Sequence, residues 1–207
     1  SSGAFTPQQI GTFSSIYFIV YAIGQLVNGA IGDRIKAKYM ISFGLMLASI
    51  GFLLLPTLKD LPNYAYIAYG SSGFFMAMIY GPMTKVVAEN VEPLFATRCS
   101  AGYTMASFLG SPVSGILASV LLWPWVFRST GGILLIMGVI AFICFSAMEK
   151  KGIVKYGQYA RKKGEKGSIQ VLLKRQIVKF TFIAILTGVV RTSVVFWMPT
   201  YISQHLN

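Results

Sequence analysis

Six apolar stretches of about twenty residues recur along this chain, and each is long enough to cross a bilayer as one helix. They run Ile10–Gly32, Tyr39–Leu58, Leu61–Thr84, Cys99–Leu122, Ser129–Met148 and Ile177–Ser203. Helices satisfy every backbone donor and acceptor internally, so chains with repeated spans of this length form helix bundles in lipid. The fold class is therefore all-α, a polytopic membrane helix bundle. Composition agrees. Charged residues make up 12% of the 207, against about a quarter in soluble domains, and 21 glycines sit largely within the apolar runs, where small residues let helices approach.

The net charge of +12 would point to nucleic acid in a soluble protein. The placement of the cations argues against that partner. Ten of the 18 lie between Lys150 and Lys179, and most others flank apolar spans. One set of loops holds Arg34, Lys36, Lys38, Lys85, Arg98 and that run of ten, while the alternate set holds only Lys59 and Arg128. Fifteen against two places the first set in the cytoplasm, with residues 1–9 outside. The expected location is the cell inner (plasma) membrane. Residues 1–148 form one bundle, 149–176 a basic cytoplasmic linker against the anionic inner leaflet, and 177–207 the first helix of a second bundle.

Cys99 and Cys144 read as small apolar residues rather than a disulfide pair. The single histidine, His205, stands apart from any triad, metal-ligand set or phosphate loop. No enzyme activity, metal or cofactor is expected. Thr6 and Pro7 have the form of a helix start, and Trp123-Pro124-Trp125 reads as a turn between the fourth and fifth spans.

Arg191 is the most informative residue. Eleven uncharged residues precede it and sixteen follow. An arginine at mid-bilayer costs at least about 2.5–3.5 kcal/mol, so it must face a cavity or a partner. Its planar fork suits a phosphate or carboxylate. The competing reading is an ion pair with an acid elsewhere in the protein. On the first span, Tyr17, Tyr21, Gln25 and Asn28 share one helical face, which reads as a pathway lining. Tyr69, Ser72, Met76, Tyr80 and Met83 share a face of the third, and Tyr103, Ser107, Ser111 and Ser114 a face of the fourth. These two rows read either as pathway or as interhelical packing. All six acids fall in loops or at span ends, which favours anion exchange over proton symport.

The segment from Gly29 to Lys38, with Gly29, Asp33, Arg34, Lys36 and Lys38, resembles the loop signature of the major facilitator superfamily. That signature joins helices two and three, so the resemblance implies that these spans are helices two to seven of an incomplete major facilitator fold. It also implies a monomer when complete, with Gly29, Asp33, Arg34 and Lys85 as the gating and loop residues. The run Arg191…Trp197-Met-Pro199-Thr200-Tyr201 is similar to helix seven of the organophosphate:phosphate antiporters, the glycerol-3-phosphate and hexose-phosphate exchangers. There, the matching arginine binds substrate phosphate. This resemblance implies secondary transport of an organophosphate or sugar phosphate in exchange for inorganic phosphate. Arg191 would hold the anion, with Tyr21, Gln25 and Tyr80 beside it. The chain departs from those exchangers in lacking a lysine near Gln25 and a histidine near Ser107. A carrier of another organic anion, or a sugar-phosphate sensor of the same fold, are the alternatives.

Overall fold

The computed structural model describes residues 6–32 and 34–156, and beyond them 179, 182–183, 185–190 and 193–194. Of the residues singled out above, Asp33, Arg191, Trp197, Pro199, Thr200, Tyr201 and His205 lie outside the described residues, as do residues 157–176 of the basic linker and the side chains of Ser107 and Ser111. The chain divides into two compact units, Ser1–Ala160 and Arg161–Asn207.

In the first unit five long helices follow one another: α1 (Pro7–Gly32), α2 (Ala37–Leu54), α3 (Pro62–Asn90), α4 (Pro93–Val120) and α5 (Trp123–Lys150). A 3-10 turn, Leu55–Leu58, extends α2. At 1.5 Å per residue, the 29 residues of α3 measure about 43 Å, more than the hydrocarbon core. By length and apolar character alone, Gln8–Gly32, Ala37–Leu58 and Trp123–Lys150 can each cross a membrane.

Prolines set the helix starts. Pro62, Pro93 and Pro124 each occupy the first turn of a helix, where the missing N–H costs nothing. This corrects the span limits expected from hydropathy. Trp123-Pro124-Trp125 is the opening of α5, not a turn before it, and α4 begins at Pro93 rather than Cys99. α3 continues through Lys85 and Glu89 to Asn90, because a helix does not end where the bilayer does. At the start of α1, the Gln9 amide N–H donates to Thr6 Oγ1 at 3.3 Å and the Thr6 N–H donates to Gln9 Oε1 at 2.8 Å, a reciprocal cap.

The helices pack in the order α1–α3–α2–α5, and α4 lies loosely against α3 and α5. Glycines and serines bring the backbones together. A Cβ on Gly73 would sit 2.7 Å from the Tyr17 carbonyl oxygen, and one on Gly24 2.9 Å from Ala77 Cβ, so α1 and α3 meet through glycine on both sides. Between α2 and α5, buried Ser42 and Ser49 face Gly138 and Gly131, seven residues apart on each helix. Two apolar clusters close the ends. Phe13, Leu55 and Ala65 pack with Tyr66, Tyr69 and Phe127 at one end. Ala37, Ile41, Val86 and Val154 pack at the other, the end that carries the loop cations.

In the second unit, residues 185–190 are helical and exposed, and the Thr187 hydroxyl donates to the Ile183 carbonyl at 2.9 Å. The exposed side chains of Ile185, Leu186, Val189 and Val190 suit lipid or a neighbouring helix.

Candidate functional site

The row on α1 divides between two roles. Asn28 is 2% exposed, and its Nδ2 donates to the Phe74 carbonyl of α3 at 3.2 Å. Tyr17 lies with its ring centroid 5.1 Å from Tyr69 of α3. These two residues join helices. Tyr21 and Gln25 are half-buried and bond each other, the Gln25 amide donating to the Tyr21 hydroxyl at 2.9 Å. Tyr17 stacks on Tyr21 at 6.2 Å, so Phe13, Tyr69, Tyr17 and Tyr21 form an aromatic file running from the end of the bundle to its middle.

Tyr80 stands on α3 two residues before Pro82, which lies beside Gly32 at the end of α1. Half its surface is exposed, and its ring meets Tyr103 of α4 edge-on at 5.7 Å. The Tyr103 hydroxyl donates to Ser100 Oγ at 2.9 Å. Tyr21 and Gln25 thus pair on α1, and Tyr80 of α3 meets Tyr103 of α4. Hydroxyls and amides both donate and accept, so these groups can hydrogen-bond a polar solute. Tyr103 was read in the sequence only as part of a serine row, and its place beside Tyr80 depends on the packing of α4.

Ser72 has the other role. It is fully buried, and its hydroxyl donates to the Ala48 carbonyl of α2 at 3.2 Å and to the Ala68 carbonyl at 3.0 Å. It joins α2 to α3.

The loop residues converge at the basic end. Lys85 reaches across from α3, and its ammonium donates to the Gly32 carbonyl at 3.2 Å. A cation at a helix C-terminus offsets the free carbonyls and the negative end of the dipole. Lys36 and Lys38 both pair with Glu149 at the far end of α5. Lys38 is therefore turned toward α5, with its side chain 11% exposed. Arg34 remains exposed, and Gly29 has open space around its Cα. A cleft of about 210 Å³ lies among these groups, lined by Arg34, Lys36, Lys85, Glu89 and Tyr156. Burial pushes the Tyr156 hydroxyl above its ordinary range, with the Glu149 carboxylate adding to the effect. Among the described residues no group of His, Cys, Asp and Glu could hold a metal ion.

Three comparisons bear on this arrangement. No solved structure matches the chain. Sialin of the sheep, Ovis aries, is 26% identical over 132 residues, which is 61% of this chain and 26% of sialin. The chain thus spans about a quarter of that relative's length. The family model of the Major Facilitator Superfamily, whose members are membrane transporters, matches residues 3–207. With a helical membrane bundle already in place, that match over nearly the whole sequence means that the chain belongs to the major facilitator superfamily.

Proposed function

We propose that the intact protein is a secondary active transporter of an organic anion, an organophosphate or sugar phosphate, which it exchanges for inorganic phosphate. The observations that carry this reading are two polar contacts within the spans, Gln25 with Tyr21 on α1 and Tyr80 of α3 with Tyr103 of α4. Their donors suit phosphate oxygens. Arg191 supplies the charge in this account. It lies in an otherwise uncharged stretch, and its fork satisfies several phosphate oxygens at once. Transport proceeds by rocking of two bundles about a midplane site. The basic end, with Arg34, Lys36, Lys85 and the linker, faces the cytoplasm and an anionic leaflet.

The test is phosphate self-exchange by the full-length protein in proteoliposomes. Tyr80→Phe and Gln25→Ala each remove a donor to a charged ligand, so KM for phosphate is expected to rise about tenfold or more in each. If both variants exchange phosphate with unchanged KM, these groups are not part of the site.

A further inference from the structure

The chain does not leave the first unit where α5 ends. Gly152, with φ of +70°, reverses the backbone. The Gly152 N–H donates to the Glu149 carbonyl and the Ile153 N–H to the Met148 carbonyl, both at 3.0 Å. Glycine is favoured at such a left-handed helix stop because it has no Cβ to clash. The next residues then turn back across the bundle. Val154 is 4% exposed and lies in the cluster formed by Ala37 and Ile41 of α2 and Val86 of α3. Asn90, the last residue of α3, holds the following residue on both sides. Its Nδ2 donates to the Lys155 carbonyl at 3.0 Å, and its Oδ1 accepts from the Lys155 N–H at 2.7 Å. The side-chain amide thus stands in for a neighbouring strand. Tyr156 packs against the same cluster, with the Lys36 ammonium 5.9 Å from its ring centre.

We propose that residues 151–156 are a strap that ties the basic ends of α2, α3 and α5 together, with Asn90 as its catch and Val154 as its plug. The two catch bonds lie at the exposed edge, while the plug is buried. Losing the catch therefore frees the strap without removing any apolar contact. Glu149, whose carboxylate joins Lys36 and Lys38, fixes the point from which the strap starts.

The test uses the full-length protein in membrane vesicles, with Cys99 and Cys144, both exposed, replaced by serine. Ile153→Cys and Val154→Cys are introduced singly, and their reaction with a membrane-permeant maleimide is timed. Ile153 is 58% exposed, so its cysteine serves as the fast reference. The Val154→Cys thiol is expected to react far more slowly. Adding Asn90→Ala should speed it about tenfold, since each catch bond contributes a few-fold to the closed state, and should leave the Ile153→Cys rate unchanged. Asn90→Asp keeps the acceptor for the Lys155 N–H and loses the donor, so its effect should fall between. Gly152→Ala, which strains the reversal, should release the strap even where the Asn90 variants express poorly. A Val154→Cys thiol as reactive as the Ile153→Cys thiol overturns the proposal, and so does a rate that neither Asn90→Ala nor Gly152→Ala changes.

Discussion

Substituting Gly51 by alanine should be among the most destabilising single-methyl additions in the bundle. A Cβ there would overlap the Ser72 hydroxyl and the Ala68 carbonyl oxygen of α3. The hydroxyl can rotate only by giving up its bonds to the Ala48 and Ala68 carbonyls. The Ala68 backbone cannot rotate away at all, so α2 and α3 must separate. That separation would also open the contact at Gly44, where a Cβ would lie 2.9 Å from the Phe75 carbonyl. Overpacking of this kind costs typically 1–3 kcal/mol, and the upper end applies where backbone has to move. Alanine recovers about 1 kcal/mol over glycine in a helix. The net expectation is a loss of about 2 kcal/mol, or roughly 30-fold in the unfolding equilibrium. Gly138→Ala, with Met46 Cγ at 2.7 Å and the Ser42 carbonyl at 3.1 Å, should lose less because Met46 can yield. Gly132→Ala meets nothing within 4 Å and should be neutral or stabilising. Detergent-titrated unfolding of the full-length protein gives all three values. If Gly51→Ala proves as stable as Gly132→Ala, the α2–α3 packing described here is wrong.

Two further outcomes follow. Cysteine labels at Lys36 and Lys162 should be protected from impermeant reagents in intact cells while one at Asp60 reacts, and the reverse pattern would invert the topology. Asn28→Ala should lower stability by about 1 kcal/mol through the lost bond to the Phe74 carbonyl, in line with interhelical hydrogen bonds in membranes, and no change would mean that this bond contributes nothing.

The order and number of helices in residues 7–150 were legible in the sequence, because twenty apolar residues with charged flanks have few other uses. Their ends were less legible. Hydropathy detects the hydrocarbon core, whereas α3 runs on to Asn90 through a stretch in which Lys85 and Glu89 interrupt the apolar residues. The prolines at 62, 93 and 124 were the readable signs of the true starts, and the Thr6-Pro7 pattern had already displayed the rule once. At the site, periodicity put Tyr17, Tyr21, Gln25 and Asn28 on one face. It could not tell which of them would meet α3, since a helical face does not name its neighbour. The same holds for Tyr103 beside Tyr80 and for Lys36 and Lys38 beside Glu149, more than a hundred residues away.

The central claim is that this bundle serves anion exchange with Arg191 holding the phosphate, and counterflow of labelled inorganic phosphate in proteoliposomes of the full-length protein tests it most directly. The account predicts saturable exchange competed by sugar phosphates or glycerol phosphate. It also predicts exchange severely reduced in Arg191→Lys, which keeps the charge without the fork, and abolished in Arg191→Ala while both variants still insert and fold. Phosphate exchange at the native rate in Arg191→Ala would contradict it, as would a native protein that moves carboxylate anions and is untouched by phosphate.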